Sequence, residues 1–94
     1  MDFAERMTAT TDMLEGRSIR IGHSTGDDTF SGWTQPFIWS KEYVLRLKGR
    51  IVGEVYPTPY EESWWARLPL HNAKEFDTIH EAMTYIEAIG ALID

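Results

Sequence analysis

The sequence predicts an α+β domain of two layers. An antiparallel sheet of about four strands carries an N-terminal and a C-terminal helix on one face. Three observations predict it. "EYVLRLKGRIVGEVY" alternates apolar and polar residues on both sides of a Gly-containing break, as a β-hairpin does. "TIHEAMTYIEAIGALI" repeats its apolar residues at helical spacing. The segments between are short and rich in turn residues, which joins neighbouring strands antiparallel.

Taken in order, Asp2–Leu14 reads as an amphipathic helix with Phe3, Met7 and Leu14 on one stripe and Gly16 as its stop. Thr10 and Thr11 argue against it, because β-branched side chains lose rotamer freedom in a helix. Ser18–His23 alternates as a half-buried strand, with Ile19 and Ile21 on one side and Arg20 on the other. A further short strand is expected from Thr29 or at Phe37–Trp39. In the hairpin Glu42–Tyr56, the break at Lys48–Gly49–Arg50 admits a three-residue loop, matching Tyr43, Leu45 and Leu47 to Ile51, Gly53 and Val55, or a two-residue loop that shifts the register by one. Pro57 and Pro59 end the second strand. In Ser63–Leu70, Trp64, Ala66, Leu68 and Leu70 share one face, and Trp65, Arg67 and Pro69 the other. The last helix runs from Ile79 to about Leu92 behind a Thr78–Glu81 capping box; Ile79, Met83, Ile86 and Ile93 form its core stripe, broadened by Tyr85 and Leu92.

Ninety-four residues make a single domain, residues 1–94, with room for one core. There is no Cys, which removes disulfides, thiolate nucleophiles and Cys-ligated zinc and fits a reducing compartment. No apolar run reaches membrane-spanning length and the N-terminus lacks a signal-peptide pattern, so the expectation is a soluble, cytoplasmic protein with no membrane partner. The net charge of −6 is distributed as −3, +3 and −6 over residues 1–16, 17–50 and 51–94. A negative whole disfavours direct binding to nucleic acid.

The stretch "YPTPYEESWW", Tyr56–Trp65, is the first candidate for a partner-binding surface. Adjacent strand residues point to opposite faces, so Trp64 goes under the helices and Trp65 to the far face, with Val44, Arg46, Val52, Glu54, Tyr56 and Arg67. An uncovered face with Trp, Tyr and Arg has the composition of an interface hot spot. The other reading folds the Pro57–Pro59–Tyr60 loop back over Trp65 as a lid. In the binding reading Tyr56, Tyr60 and Trp65 are anchors, Glu61 and Glu62 pair with basic groups of a partner, and Asp27 and Asp28 extend the acidic patch.

An alternative nucleic-acid contact is the basic hairpin, Lys41, Arg46, Lys48 and Arg50, since a β-ribbon can enter a groove. Strand edges also carry Lys and Arg to prevent edge-to-edge pairing, which explains the same residues. A third reading is an enzyme or metal protein using His23 or His71. "HSTGDD" places His23, Ser24, Asp27 and Asp28 together, but ordinary turn chemistry accounts for them. His71, His80 and Asp77 lack any recognised zinc-ligand spacing. No cofactor and no metal is expected.

In size, acidity, aromatic content and absence of Cys, the chain resembles small proteins encoded by phages and mobile elements, anti-CRISPR inhibitors among them. "WWARLPLHNAKEFDTIHEAMTYIEAIG" is similar to a pattern of such proteins: a Trp-bearing strand, an acidic turn, a capped helix. The resemblance implies stoichiometric binding to a larger protein or nucleoprotein with a basic surface, the acidic loops imitating phosphates. It assigns no family residue to a position in this chain. The expectation is therefore a non-enzymatic protein-binding module that acts as an inhibitor. A homodimer through open sheet faces or edges is compatible with each reading.

Overall fold

The structure is a computed structural model that describes residues 11–14, 16–21, 30–37 and 39–93. The strands are β1 Thr11–Leu14, β2 Arg17–Ile21, β3 Gly32–Gln35, β4 Tyr43–Leu47, β5 Arg50–Pro57, β6 Trp64–Arg67 and β7 Lys74–Phe76, followed by the helix α1, Ile79–Ile93. They form one sheet in sequence order, β1 to β7. Every neighbouring pair is antiparallel except β2–β3, which runs parallel. The α+β class stands. The sheet is larger than expected and mixed, and α1 is the one helix among the described residues.

The expected helix Asp2–Leu14 is corrected over its last turn. Thr11–Leu14 is a strand paired with β2, from Thr11 against Arg20 to Leu14 against Arg17. Gly16 is the turn of that hairpin, at φ +82°, and not a helix stop. Pairing with the edge of β2 outweighs a weak helical stripe that carries two Thr. Residues 1–10 lie outside the described residues. Of the two places expected for a further short strand, the structure favours the one after Thr29: β3 is Gly32–Gln35 and not Phe37–Trp39, and β7 occupies what reads as a turn.

The hairpin β4–β5 contains both registers that its sequence allows. Lys48 and Gly49 form a two-residue turn, with φ of 53° and 81°, and pair Leu47 with Arg50 and Arg46 with Ile51. A bulge then inserts Val52, and beyond it Leu45 meets Gly53 and Tyr43 meets Val55. The bulge corrects the facing of Val52. It is buried in the core, while Ile51 is 53% exposed.

One face of the sheet carries the core. Ile19, Trp33, Leu45, Val52, Val55, Ala66 and Leu68 pack against Ala82, Met83 and Ile86 of α1. Trp64 joins this face, with its ring 6.4 Å from that of Tyr43. Leu70 does not join it. Pro69 cannot continue a ladder, the chain turns at Leu70 with φ +65°, and the Leu70 side chain is fully exposed. Leu92 is also exposed, beyond the reach of the sheet. The side chain of Ile93 lies outside those described.

The helix starts as its sequence directs. The Glu81 N–H donates to the Thr78 hydroxyl at 3.1 Å, and that hydroxyl donates to the Glu81 carboxylate at 3.0 Å. Gly53 lets the helix approach β5 closely: a Cβ there would lie 2.6 Å from Cγ2 of Ile86.

Candidate functional site

Two loops meet at one end of the sheet. The first, residues 36–42, joins β3 to β4; the second, residues 58–63, joins β5 to β6. Each is held by its own hydrogen bonds. In the first, the Ser40 N–H donates to the Phe37 carbonyl at 2.9 Å, the Gln35 amide donates to the Ser40 carbonyl, and the Glu42 N–H donates to the Ser40 hydroxyl at 3.1 Å. In the second, the Glu61 N–H donates to the Thr58 carbonyl at 2.8 Å and the Thr58 N–H donates to the Ser63 carbonyl at 3.0 Å. Lys41 and Glu61 form an ion pair that ties the loops together.

The result is a set of held but uncovered aromatic side chains. Phe37 is 58%, Trp39 82% and Tyr60 86% exposed. Large aromatic side chains are usually mostly covered, and here three exposed ones sit on adjoining, hydrogen-bonded loops. Tyr60 is among the residues the sequence singles out. Phe37 and Trp39 are not, because their segment reads as a short strand; only the pairing of β3 one turn earlier leaves them on a loop.

Behind this rim, on the face away from α1, Tyr56 and Trp65 stand directly opposite each other across β5 and β6. Both are half-buried. The loop 58–63 leads directly into the strand that carries Trp65. The next row of that face runs Arg20, Thr34, Val44, Glu54, Arg67 across five strands. Thr34 and Val44 are buried, so this face is not open along its whole width. The Arg20 guanidinium lies 4.0 Å over the Phe30 ring.

The charges here are largely matched within the molecule. Arg67 pairs with Glu54, and the Ser63 hydroxyl donates to Glu75 beside Trp65. Glu42 has its carboxyl raised above the ordinary range, first by a hydrogen bond shared with Glu54, then by burial and the Glu54 charge; Arg67 acts in the opposite direction. Of the two acids expected to reach a partner, Glu61 is already paired with Lys41, and Glu62 is exposed. Asp27 and Asp28 lie outside the described residues, as do His23 and Ser24.

The basic set is not one patch. Lys41 precedes and Lys48 follows the five-residue strand β4, which is itself about 17 Å long by strand rise. Arg46 donates to the Gly49 carbonyl at 3.0 Å and so closes the hairpin turn, while Lys48 and Arg50 are exposed at the tip. His71 is exposed in the turn after β6, and His80 lies with Nδ1 2.8 Å from the Arg17 guanidinium. Among the described residues, no group of three His, Asp or Glu side chains could hold a metal ion. Likewise no helix among them is long and apolar enough to cross a membrane.

Protein-family models, curated proteins and solved structures offer no match to this chain.

A second polar assembly lies on the helix side and has a structural role. Arg17 of β2 grips Glu87 of α1 with two bonds, at 2.6 and 2.8 Å, and donates to the Thr84 hydroxyl at 2.8 Å. The Trp33 indole donates to the same Glu87 carboxylate at 2.8 Å. These donors, Arg17 first, hold the Glu87 carboxyl below its ordinary range against the opposing effect of burial. The sequence gives no sign of this cluster, since its members are 54 to 70 residues apart.

Proposed function

We propose that this chain is a non-enzymatic protein-binding module that docks through the aromatic loop end of its sheet. The observation that carries this reading is the exposure of Trp39 and Tyr60 on two hydrogen-bonded loops joined by the Lys41–Glu61 pair. Anchors held in place before binding lose little conformational freedom when they dock, and Trp and Tyr dominate interface energetics. Phe37 widens the apolar centre; Tyr56 and Trp65 continue it onto the far sheet face. Glu62 belongs to the rim.

The fitting partner is a larger protein or nucleoprotein whose docking surface is apolar in the middle and basic around it. The net charge of −6 steers such a surface toward the chain. The resemblance to phage-encoded inhibitors supports stoichiometric inhibition as the outcome of binding. In the mimic form of that reading, acidic loops replace phosphates and affinity falls steeply with salt. Because Glu54 and Glu61 already have basic partners, the aromatic contact leads and the acids assist.

The test is capture from a lysate of the source cell. Wild type is compared with Trp39→Ala, Tyr60→Ala and Trp65→Ala, each shown to unfold at the same urea concentration as wild type. A partner held by wild type and lost with Trp39→Ala or Tyr60→Ala is the expected result. Capture unchanged by all three variants would remove this surface from the function.

A further inference from the structure

Three carboxylates of the far sheet face and its loops are matched within the molecule. Glu54 pairs with Arg67, Glu61 pairs with Lys41, and Glu42 shares a hydrogen bond with Glu54. Glu75 of β7 differs from them. It is exposed, and among the described residues its one hydrogen bond comes from the Ser63 hydroxyl and no cation pairs with it. Ser63 is only 8% exposed, with its N–H directed to the Thr58 hydroxyl at 3.4 Å. A buried donor on an exposed carboxylate fixes where that charge stands. The bond uses Oε2 and leaves Oε1 to accept from elsewhere.

The register puts Glu75 directly across from Trp65, whose neighbour on the other side is Tyr56. Phe76 packs against the core, so Glu75 and Trp65 share the face away from α1. Residues opposed in this way have Cβ atoms about 4.5–5.5 Å apart, within reach of one ligand group. Trp65 is half-buried, and among the described residues neither a ring nor a cation rests on its indole. Other rings of the molecule already hold a cation: Arg20 lies over Phe30, and Lys74 over Phe76 and Tyr85. An indole attracts a cation more strongly than either of those ring types.

We propose, resting on the docking reading above, that Trp65 and Glu75 together receive an arginine side chain of the protein partner, its guanidinium laid on the indole and its N–H groups on the carboxylate. Charge decides the occupant. A fixed, unmatched carboxylate beside a π face is complementary to a cation and repels an acid. Shape decides between cations. A guanidinium is planar, stacks on an indole and still presents parallel donors at its edge, whereas an ammonium is compact, strongly hydrated and has no plane to stack.

The probe is end-blocked arginine, N-acetyl-arginine N-methylamide, titrated into the ¹⁵N-labelled full chain and followed by NMR. Trp65→Phe assigns the Trp65 indole signal. End-blocked citrulline, the uncharged isostere, and end-blocked lysine are the controls. Saturable movement of the Trp65 indole and the Glu75 amide is expected with arginine, and binding at least about tenfold weaker with citrulline. Glu75→Gln keeps an acceptor for Ser63 and removes the charge. It should unfold at the same urea concentration as wild type and weaken arginine binding to the same degree. The proposal is overturned if arginine leaves the Trp65 signal unmoved, if citrulline or lysine binds equally well, or if Glu75→Gln binds arginine as wild type does. None of these outcomes touches the docking reading, which stands or falls on partner capture by Trp39→Ala and Tyr60→Ala. Arginine binding in a chain whose capture those variants leave unchanged would refute that reading and keep this site.

Discussion

Glu87 joins two distant parts of the chain through a single carboxylate. Its folded-state proton affinity is lowered, so its contribution to stability is complete above the ordinary carboxylate range and disappears as pH falls through the lowered value. Glu87→Gln is expected to lose about 1 kcal/mol near neutrality, the low end for bonds to a charged group because the side chain remains 38% exposed. The difference from wild type should vanish in acid, once pH has fallen below that lowered value and wild type also carries a neutral group. Urea unfolding at a series of pH values measures it; a gap that stays constant with pH would refute the assignment. Glu42 has the opposite sign, since its raised proton affinity favours the fold at low pH and that benefit is lost as pH rises. Gly53 is the other residue with a single clear physical demand. A Cβ at 2.6 Å from Ile86 must displace the helix or the strand, so Gly53→Ala should cost about 1–3 kcal/mol in the same unfolding experiment.

Among the elements, the β4–β5 hairpin shows how far the sequence can be read. Its two strands follow from alternation alone, and so does its turn. The bulge at Val52 does not, because nothing in "RIVGEVY" distinguishes an extra residue from a shifted register until Val52 meets α1. Lys48 adopts a positive φ that its side chain tolerates poorly. Lys48→Asn should therefore raise stability by about 0.5–1 kcal/mol, read as a higher urea midpoint at an unchanged slope. No change, or a loss, would mean that the bond from the Lys48 N–H to the Ser31 hydroxyl, 2.8 Å long, depends on the native backbone. The helix α1 was legible from its capping box and stripe. β7 was not: Lys74, Glu75 and Phe76 are too few to show a period, and they form a strand because β6 offers them an edge.

For the whole molecule, net charge and aromatic surface have separable kinetic effects. Long-range attraction from the −6 charge accelerates encounter and is screened by salt, whereas a docked aromatic centre is not. Once a partner is captured, surface plasmon resonance between low and high salt should show association slowing about tenfold or more while dissociation changes little. Dissociation accelerating in step would favour the phosphate-mimic form of inhibition instead. The core lies on one face of a seven-stranded sheet, and α1 covers β5, β6 and β7 while Arg17 reaches it from β2. That arrangement leaves the loops 36–42 and 58–63 together at one end of the sheet.

By itself, the sequence determined the α+β class, the hairpin, the opposite facing of Trp64 and Trp65, the final helix and the exposure of Glu62. All of these follow from local periodicity, capping and turn chemistry. Only the tertiary structure decided that Thr11–Leu14 is a strand, that Val52 is core and Ile51 is surface, that Lys41 pairs with Glu61, and that Phe37 and Trp39 are exposed on the loop this pair joins to that of Tyr60. Each of these depends on which distant segment supplies a partner, and pairing between segments is a property of the folded chain that no short window of residues encodes.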